Sequence, residues 1–247
     1  MKVTVSLTTI PERINNVSKI IESLLSQTVK PDAIHLYIPY ICKKNNNSYI
    51  IDQYLSNLQK FPNFKIIHVE NDYGPGTKWY YALADKTNDV VIFVDDDVIL
   101  HKEAIEELLN SYKNFPFNFL GFMGKNNEKY VHAEYLTYEL RRKVTLLGGY
   151  RGILVPCKNL REHIDILLKN FKNMSDKFLV LDDDYFLSVI THRLALKMFV
   201  IKTNYHWSYQ FQSWSEKDGV NHESNLDNMK KNREQIDDFI RSSFVLE

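Results

Sequence analysis

The strongest constraint on this chain is an alternation. Short apolar segments that read as strands recur between helical patterns through roughly the first 115 residues. Strands are predicted over residues 3–9, 33–38, 64–69 and 89–94. The last contains an unbroken run, Val90, Val91, Ile92, Phe93 and Val94. Runs of this kind are buried on both faces, as in parallel sheets. Between them, a helix is predicted from Asn15 or Asn16, as N-cap, through Gln27, with Val17, Ile20, Ile21, Leu24 and Leu25 on one face. A second spans residues 48–59 with Ile50, Ile51, Tyr54, Leu55 and Leu58 as its stripe. A third begins at 77–84 after a Gly74-Pro75-Gly76 turn, and a fourth covers 102–112. A strand–helix series of this order implies a right-handed, doubly wound, mostly parallel sheet flanked by helices.

The pattern changes after residue 115. Strands are expected over 119–124, 131–138 and 144–147, helices over 160–170 and 185–194, and a late strand over 195–200. A polar helix over 223–241 would dock through Leu226, Met229, Ile236, Phe239 and Ile240. Residues 43–48 read as a loop, and neither a repeat nor a low-complexity linker interrupts the chain. The expectation is one α/β domain over 1–247, its second half a smaller mixed region.

Charge narrows the function classes. Lys plus Arg equals Asp plus Glu, 31 each. No basic excess exists to hold nucleic acid. The two cysteines, Cys42 and Cys157, show no ligand spacing for zinc or iron–sulfur. They read as two thiols in a reducing compartment. The N-terminal segment MKVTVSLTTIPER is too short and polar for a signal peptide, and no stretch reaches the length of a membrane span. A cytoplasmic location without a transmembrane segment is the expectation.

Chemistry concentrates where apolar segments end. Asp95, Asp96 and Asp97 follow the fourth strand, at the sheet edge where open α/β sheets bind ligands. Three adjacent carboxylates repel one another, and a hard dication such as Mg²⁺ or Mn²⁺ relieves that repulsion. On extended chain Asp95 and Asp97 point one way and Asp96 the other. The competing structural reading is a set of helix-capping acids.

An apolar strand followed by Asp-x-Asp, with this order of elements around it, resembles GT-A glycosyltransferases, and in particular family 2 and its viral and bacterial relatives. The resemblance implies a GT-A (Rossmann-like) fold, with 1–115 as the nucleotide-sugar-binding half, 116–222 as the acceptor-side half and 223–247 as a C-terminal helix. It implies a donor nucleotide sugar, UDP-sugars favoured, a Mn²⁺ or Mg²⁺ cofactor, and a glycan, protein or lipid-linked acceptor. Asp97 and Asp95 would hold the metal, with Asp95 also in reach of the ribose and Asp96 supporting the donor site. The opening loop, Ser6-Leu-Thr-Thr-Ile-Pro-Glu-Arg13, resembles the nucleotide cradle, making Thr8, Thr9 and Arg13 donor-site candidates. Asn71-Asp72-Tyr-Gly-Pro-Gly-Thr-Lys78 resembles the family's next element, with Asp72 toward the base and Lys78 toward the diphosphate. Lysine in a first helical turn opposes the helix dipole, an objection that a bound phosphate removes.

Downstream, Leu146-Leu-Gly-Gly-Tyr-Arg-Gly-Ile153 resembles the acceptor-side lining, with Gly149, Tyr150 and Arg151 as candidates beside the alternative of a bulged hairpin. Asp182-Asp183-Asp184-Tyr-Phe-Leu-Ser188 resembles the Glu-Asp-x-x-Leu-Ser pattern of family 2. Asp183 and Asp184 take its acidic places, and Asp184 would be the general base of an inverting transfer. Asp182 reads as a cap. His206 resembles the C-terminal histidine that some GT-A enzymes recruit as an extra metal ligand, beside the commoner reading of a packed or surface histidine, and Trp207 would stack on a sugar.

Two other readings stay open on sequence. A haloacid-dehalogenase-type phosphatase also carries an apolar strand followed by Asp-x-Asp, although that motif normally sits on its first strand. A GT-A-like module that binds sugar nucleotides without catalysis is the second.

Overall fold

The computed structural model describes residues 1–126, 129–136, 140–178, 180–205 and 223–244. The side chains of Glu134, Tyr150 and residues 223–226 also lie outside the description. In chain order the strands are β1 (Val3–Thr8), β2 (Ala33–Pro39), β3 (Phe64–Val69), β4 (Val90–Phe93), β5 (Asn118–Gly121), β6 (Met123–Asn126), β7 (Lys129–His132), β8 (Arg141–Val144), β9 (Leu146–Leu147), β10 (Ile153–Val155) and β11 (Lys197–Ile201). The α-helices are α1 (Val17–Leu25), α2 (Gln53–Asn57), α3 (Thr77–Ala84), α4 (Ala104–Asn114), α5 (Arg161–Ser175), α6 (Asp183–Arg193) and α7 (Glu223–Ser243).

Among the described residues, eight strands form one sheet in the order β3-β2-β1-β4-β10-β5-β11-β8. β1 pairs in parallel with β2 and β4, β2 with β3, and β5 with β11. Only β10 and β8 run against their neighbours. The smaller sheet, β7-β6-β9, is antiparallel. The expected parallel sheet with a smaller mixed region is therefore present. Its cause is visible in burial: Val90, Val91, Ile92 and Phe93 are all closed off from solvent, as are Val5 and Leu7 on β1. Such strands need cover on both faces, and helices supply it.

The chain lays β1, β2 and β3 outward in one direction, then returns across β1 to place β4 on its other side. That reversal is a topological switch point, where strand ends splay and leave a crevice. The loops after β1 and β4 both open there, and Val94 N donates to Ser6 O across the gap.

Several expected boundaries are corrected. The helix expected over 48–59 is only Gln53–Asn57 followed by a 3-10 turn. Asp52 caps it through Leu55 N at 2.7 Å, and Ile50 is left 81% exposed. α1 begins where expected, with Asn16 at its N-cap after a 3-10 turn over Pro11–Asn16, but ends at Leu25 rather than Gln27. The strand expected over 119–124 divides at Phe122, β5 joining the large sheet and β6 the small one. The 144–147 segment divides likewise between β8 and β9. The strand expected over 131–138 is β7 plus a 3-10 turn at Ala133–Tyr135, residues 137–139 lying outside the described set. β10 is the strand that follows the glycine-rich segment.

Candidate active site

Four segments meet at the carboxyl edge of the parallel strands. Thr9 and Arg13 follow β1, the turn before α3 follows β3, and Asp95–Asp97 follow β4. The fourth is the first turn of α6, which carries Asp183 and Asp184.

Asp96 turns inward. Its Oδ2 accepts from Thr9 Oγ1 and its Oδ1 from Arg13 Nη1 at 2.7 Å. Arg13 also lies 3.5 Å from Asp97 Oδ2. Burial works against the Arg13 charge, but Asp96 and Asp97 overcome it and raise its pKa. Arg13 and Thr9 thus bind the acidic triplet itself, locking the β1 loop to the β4 loop. Thr8 faces away from this group and donates to Tyr37 O at 2.8 Å, tying β1 to β2.

Lys78 is the central cation. It is 3% exposed, with Nζ 2.7 Å from Asp95 Oδ1 and 3.0 Å from Asp183 Oδ2. Burial alone would lower its pKa; Asp183, Asp95 and Asp184 override burial and raise it well above the ordinary lysine value. The lysine is therefore charged, and it joins the β4 triplet to the second acidic cluster. Its helix is fixed from behind, since Ser6 Oγ donates to Lys78 O.

Asp72 folds into its own loop. Oδ2 accepts from Lys43 N and Oδ1 from Gly74 N, both at 2.7 Å, with Thr77 Oγ1 at 3.3 Å from Oδ1. These contacts shape the turn in which Gly74 takes φ +62°, a conformation suited to glycine. Asp72 therefore holds the entry to α3, while Lys78 faces the site.

At the start of α6, Asp184 Oδ2 accepts from Gly149 N at 2.7 Å. A Cβ at Gly149 would fall 2.6 Å from Asp184 Oδ1, so a glycine is what allows this approach. Burial, then the neighbouring Asp183, raise the Asp184 carboxyl well above the usual carboxylate range, against the pull of Lys78. Asp183 is raised too, by burial first, with Lys78 opposing. Asp182 is the cap, accepting from Tyr185 N at 3.1 Å. Arg151 is buried. The structure brings Asp183, Asp184, Gly149, Lys78, Asp95, Asp96, Asp97, Thr9 and Arg13 into one connected group. It turns Thr8 toward β2 and Asp72 into its own loop. His206 and Trp207 lie outside the described residues, as does the side chain of Tyr150.

Metal ligation depends on the donor set. Among the described residues, no three His, Cys, Asp or Glu side chains converge as a ready-made cage. Asp97, however, keeps Oδ1 buried with no hydrogen-bond partner. Burial, then Asp95 and Asp96, push its carboxyl up to about 6. Such an oxygen, in a negative potential that Arg13 and Lys78 offset only in part, suits a hard dication. Mg²⁺ commonly takes only one or two protein carboxylates and fills its shell with phosphate and water. The residues fit that mode, with Asp97 the best-placed ligand and Asp95 its neighbour.

Sequence reasoning missed a second support. Asn232 and Arg233 of α7 contact Leu181 and Asp182, immediately before the acid pair. No local pattern marks a contact made across 50 residues.

A mostly parallel sheet with an acidic cluster at its switch point, beside a small antiparallel sheet, defines the GT-A class of α/β folds. The profile described as glycosyl transferase family 2 matches residues 7–158, and the chain belongs to that family. No curated protein matches the sequence. Among solved structures, TarS 1-349 from S. aureus in complex with UDP-GlcNAc aligns at 20% identity over 71% of this chain and 54% of that one, with a TM-score of 0.48. S. aureus TarS aligns at 16% identity over 98% of this chain and 49% of that one, with a TM-score of 0.50. At such identity the likeness is one of fold, and the chain spans about half the length of these structures. No helix among the described residues is long and apolar enough to cross a membrane.

Proposed function

We propose that the chain transfers a sugar from a nucleotide-diphosphate sugar, UDP-sugars favoured, to an acceptor hydroxyl on a glycan, protein or lipid-linked molecule, with inversion. The observation that carries this reading is the bridge through Lys78, which holds the β4 carboxylates and the α6 carboxylates around one crevice. Family membership makes donor chemistry at that crevice the natural reading. The phosphatase alternative wants its aspartate after the first strand, whereas Asp95 follows β4.

In this reading, residues 1–115 bind the nucleotide sugar and later residues face the acceptor. Lys78, poised at a helix start, supplies positive charge to the diphosphate. Asp97 and Asp95 would hold a dication, which would supply Lewis-acid neutralisation of diphosphate charge. Asp184 takes the proton from the acceptor hydroxyl. The acceptor oxygen forms its bond to the anomeric carbon as the bond to the diphosphate oxygen breaks, and that oxygen keeps the electron pair. The raised pKa of Asp184 makes it a stronger base than an exposed carboxylate. It acts only when ionised, so turnover falls as pH drops through its pKa. Asp183 stays paired with Lys78 and fixes the lysine between the two halves.

The test is incubation with Mn²⁺ or Mg²⁺ and a panel of UDP- and GDP-sugars, following nucleotide release and thermal stability. Asp97→Ala should lose metal-dependent nucleotide binding. Asp184→Asn should keep binding and lose transfer. No stabilisation by any nucleotide, together with hydrolysis of a generic phosphomonoester, sinks the proposal.

A further inference from the structure

The acid pair Asp183–Asp184 stands on the first turn of α6, and that turn is built from outside. Asn232 Oδ1 accepts from the backbone N–H groups of both Leu181, at 3.0 Å, and Asp182, at 3.3 Å. Arg233 Nε donates to Asp182 Oδ2 at 2.5 Å, and its guanidinium lies 5.0 Å from the Tyr185 ring. The Tyr185 hydroxyl in turn donates to Asp237. All three α7 residues therefore grip residues 181–185, the segment that surrounds the acid pair.

We propose that α7 positions the catalytic acids, with Asn232 and Arg233 as the positioning residues; the proposal rests on the transferase reading given above. Asp182 is the pivot. Its backbone is non-helical, at φ −110° and ψ 75°, so the chain turns there. One of its carboxylate oxygens caps Tyr185 N and the other is held by Arg233. The rotation of that cap about the chain sets where the next two side chains point. Asp183 must reach Lys78 Nζ at 3.0 Å, and Asp184 must reach Gly149 N at 2.7 Å. Both depend on how the segment enters the helix.

The body of α6 does not need these contacts. Phe186, Leu187 and Ile190 are buried against the core, and Leu147 N donates to Ser188 Oγ. α7 has its own anchor in buried Ile236, Phe239 and Ile240. The polar contacts of Asn232, Arg233 and Asp237 described above fall at the entry to α6. Misplacing reacting groups by about 1 Å costs on the order of 100-fold in rate, so a loosened entry should appear in turnover before it appears in folding.

The experiment compares Arg233→Ala, Asn232→Ala and Arg233→Lys with the unaltered chain, using UDP-glucose, UDP-galactose and UDP-N-acetylglucosamine with Mn²⁺. Nucleotide release gives kcat and donor KM, and thermal shift with UDP and Mn²⁺ gives donor-site binding. Backbone hydrogen exchange is followed over residues 181–187. The expected result for the two alanine variants is a kcat loss on the order of 10- to 100-fold. Donor KM and the UDP-induced shift stay within about 2-fold, and exchange rises at 181–187 but not in β1 or β4. Arg233→Lys, which keeps a cation beside Asp182, recovers part of the rate. Unchanged exchange at 181–187, or unchanged kcat with loosened exchange, overturns the proposal. If the unaltered chain releases nucleotide from no donor, the transferase reading fails by itself. Exchange at 181–187 still reports in that case whether α7 fixes the segment.

Discussion

Lys78 Nζ lies 3.0 Å from Asp183 Oδ2, and this contact ties the first turn of α3 to the first turn of α6. Because the same ammonium is 2.7 Å from Asp95, it is the one charge shared by both acidic clusters among the described residues. Lys78→Met should therefore leave buried carboxylates facing one another. Removing one partner of a buried pair costs about 3–5 kcal/mol. The loss should be largest near neutral pH. It should shrink toward about pH 4, where raised carboxyls hold protons and no longer need the cation. Urea denaturation of both proteins across that range measures it. A constant difference at every pH would mean that Lys78 contributes packing rather than charge.

Asp97 is held out of its preferred charge state. Its folded pKa is pushed up to about 6 from 3.8, by burial first and then by Asp95 and Asp96. The fold therefore favours the protonated carboxyl. The stability from this group is fully present below about pH 3.8 and is lost as pH rises through about 6. Asp97→Asn, neutral at every pH, should be more stable than the unaltered chain at pH 7 by roughly 1–3 kcal/mol. The gap should close by about pH 4. Adding Mn²⁺ and UDP should reverse the order at pH 7, since ligand binds only the chain that keeps the carboxylate. Melting curves at three pH values, with and without ligand, decide both parts.

The first half of the fold was legible because burial on both strand faces leaves an unbroken apolar mark, as at Val90–Val94. The second half was not. β5 and β6 run through Phe119–Gly124 with a single bend at Phe122, so one apolar run serves two sheets. Nothing local shows that β10 enters the large sheet between β4 and β5, where Gly152, with φ of +98°, turns the chain. The 48–59 helix failed for the opposite reason: Ile50 kept the helical period but has no core to meet. At the site, the acids and Lys78 were recognisable by type, since buried carboxylates at strand ends have few structural uses. Their pairing was not. That Arg13 clasps Asp96, and that Arg233 holds Asp182, depends on loops brought together across 83 and 51 positions.

Gly76 opens α3 with ordinary helical φ, so its constraint is space rather than backbone freedom. A Cβ there would fall 2.4 Å from Phe171 Cζ. That ring has nowhere to go, being 4.1 Å from Trp79 and 5.1 Å from Phe186 between centroids. Gly76→Ala should destabilise the chain by about 1–3 kcal/mol, the usual cost of overpacking. Phe171→Leu, which removes the far ring atoms, should recover part of that loss when combined with it. A double-mutant cycle by chemical denaturation reads the coupling. Strict additivity would show that the clash is relieved elsewhere.

Gly149 presents the same geometry at a flexible neighbour. An added Cβ would meet Asp184 Oδ1 at 2.6 Å, and Oδ1 ends a side chain that can rotate away. Gly149→Ala should therefore fold, keep its UDP–Mn²⁺ thermal shift, and lose turnover on the order of 100-fold, because the base is displaced from its place. The decisive comparison is made in an Asp184→Asn background. If Gly149 acts through the carboxylate, the second substitution adds little once the base is gone, since residues acting as one unit are not additive. If the two losses multiply instead, Gly149 shapes the acceptor site by a route independent of Asp184, and the close contact between them is not what the reaction uses.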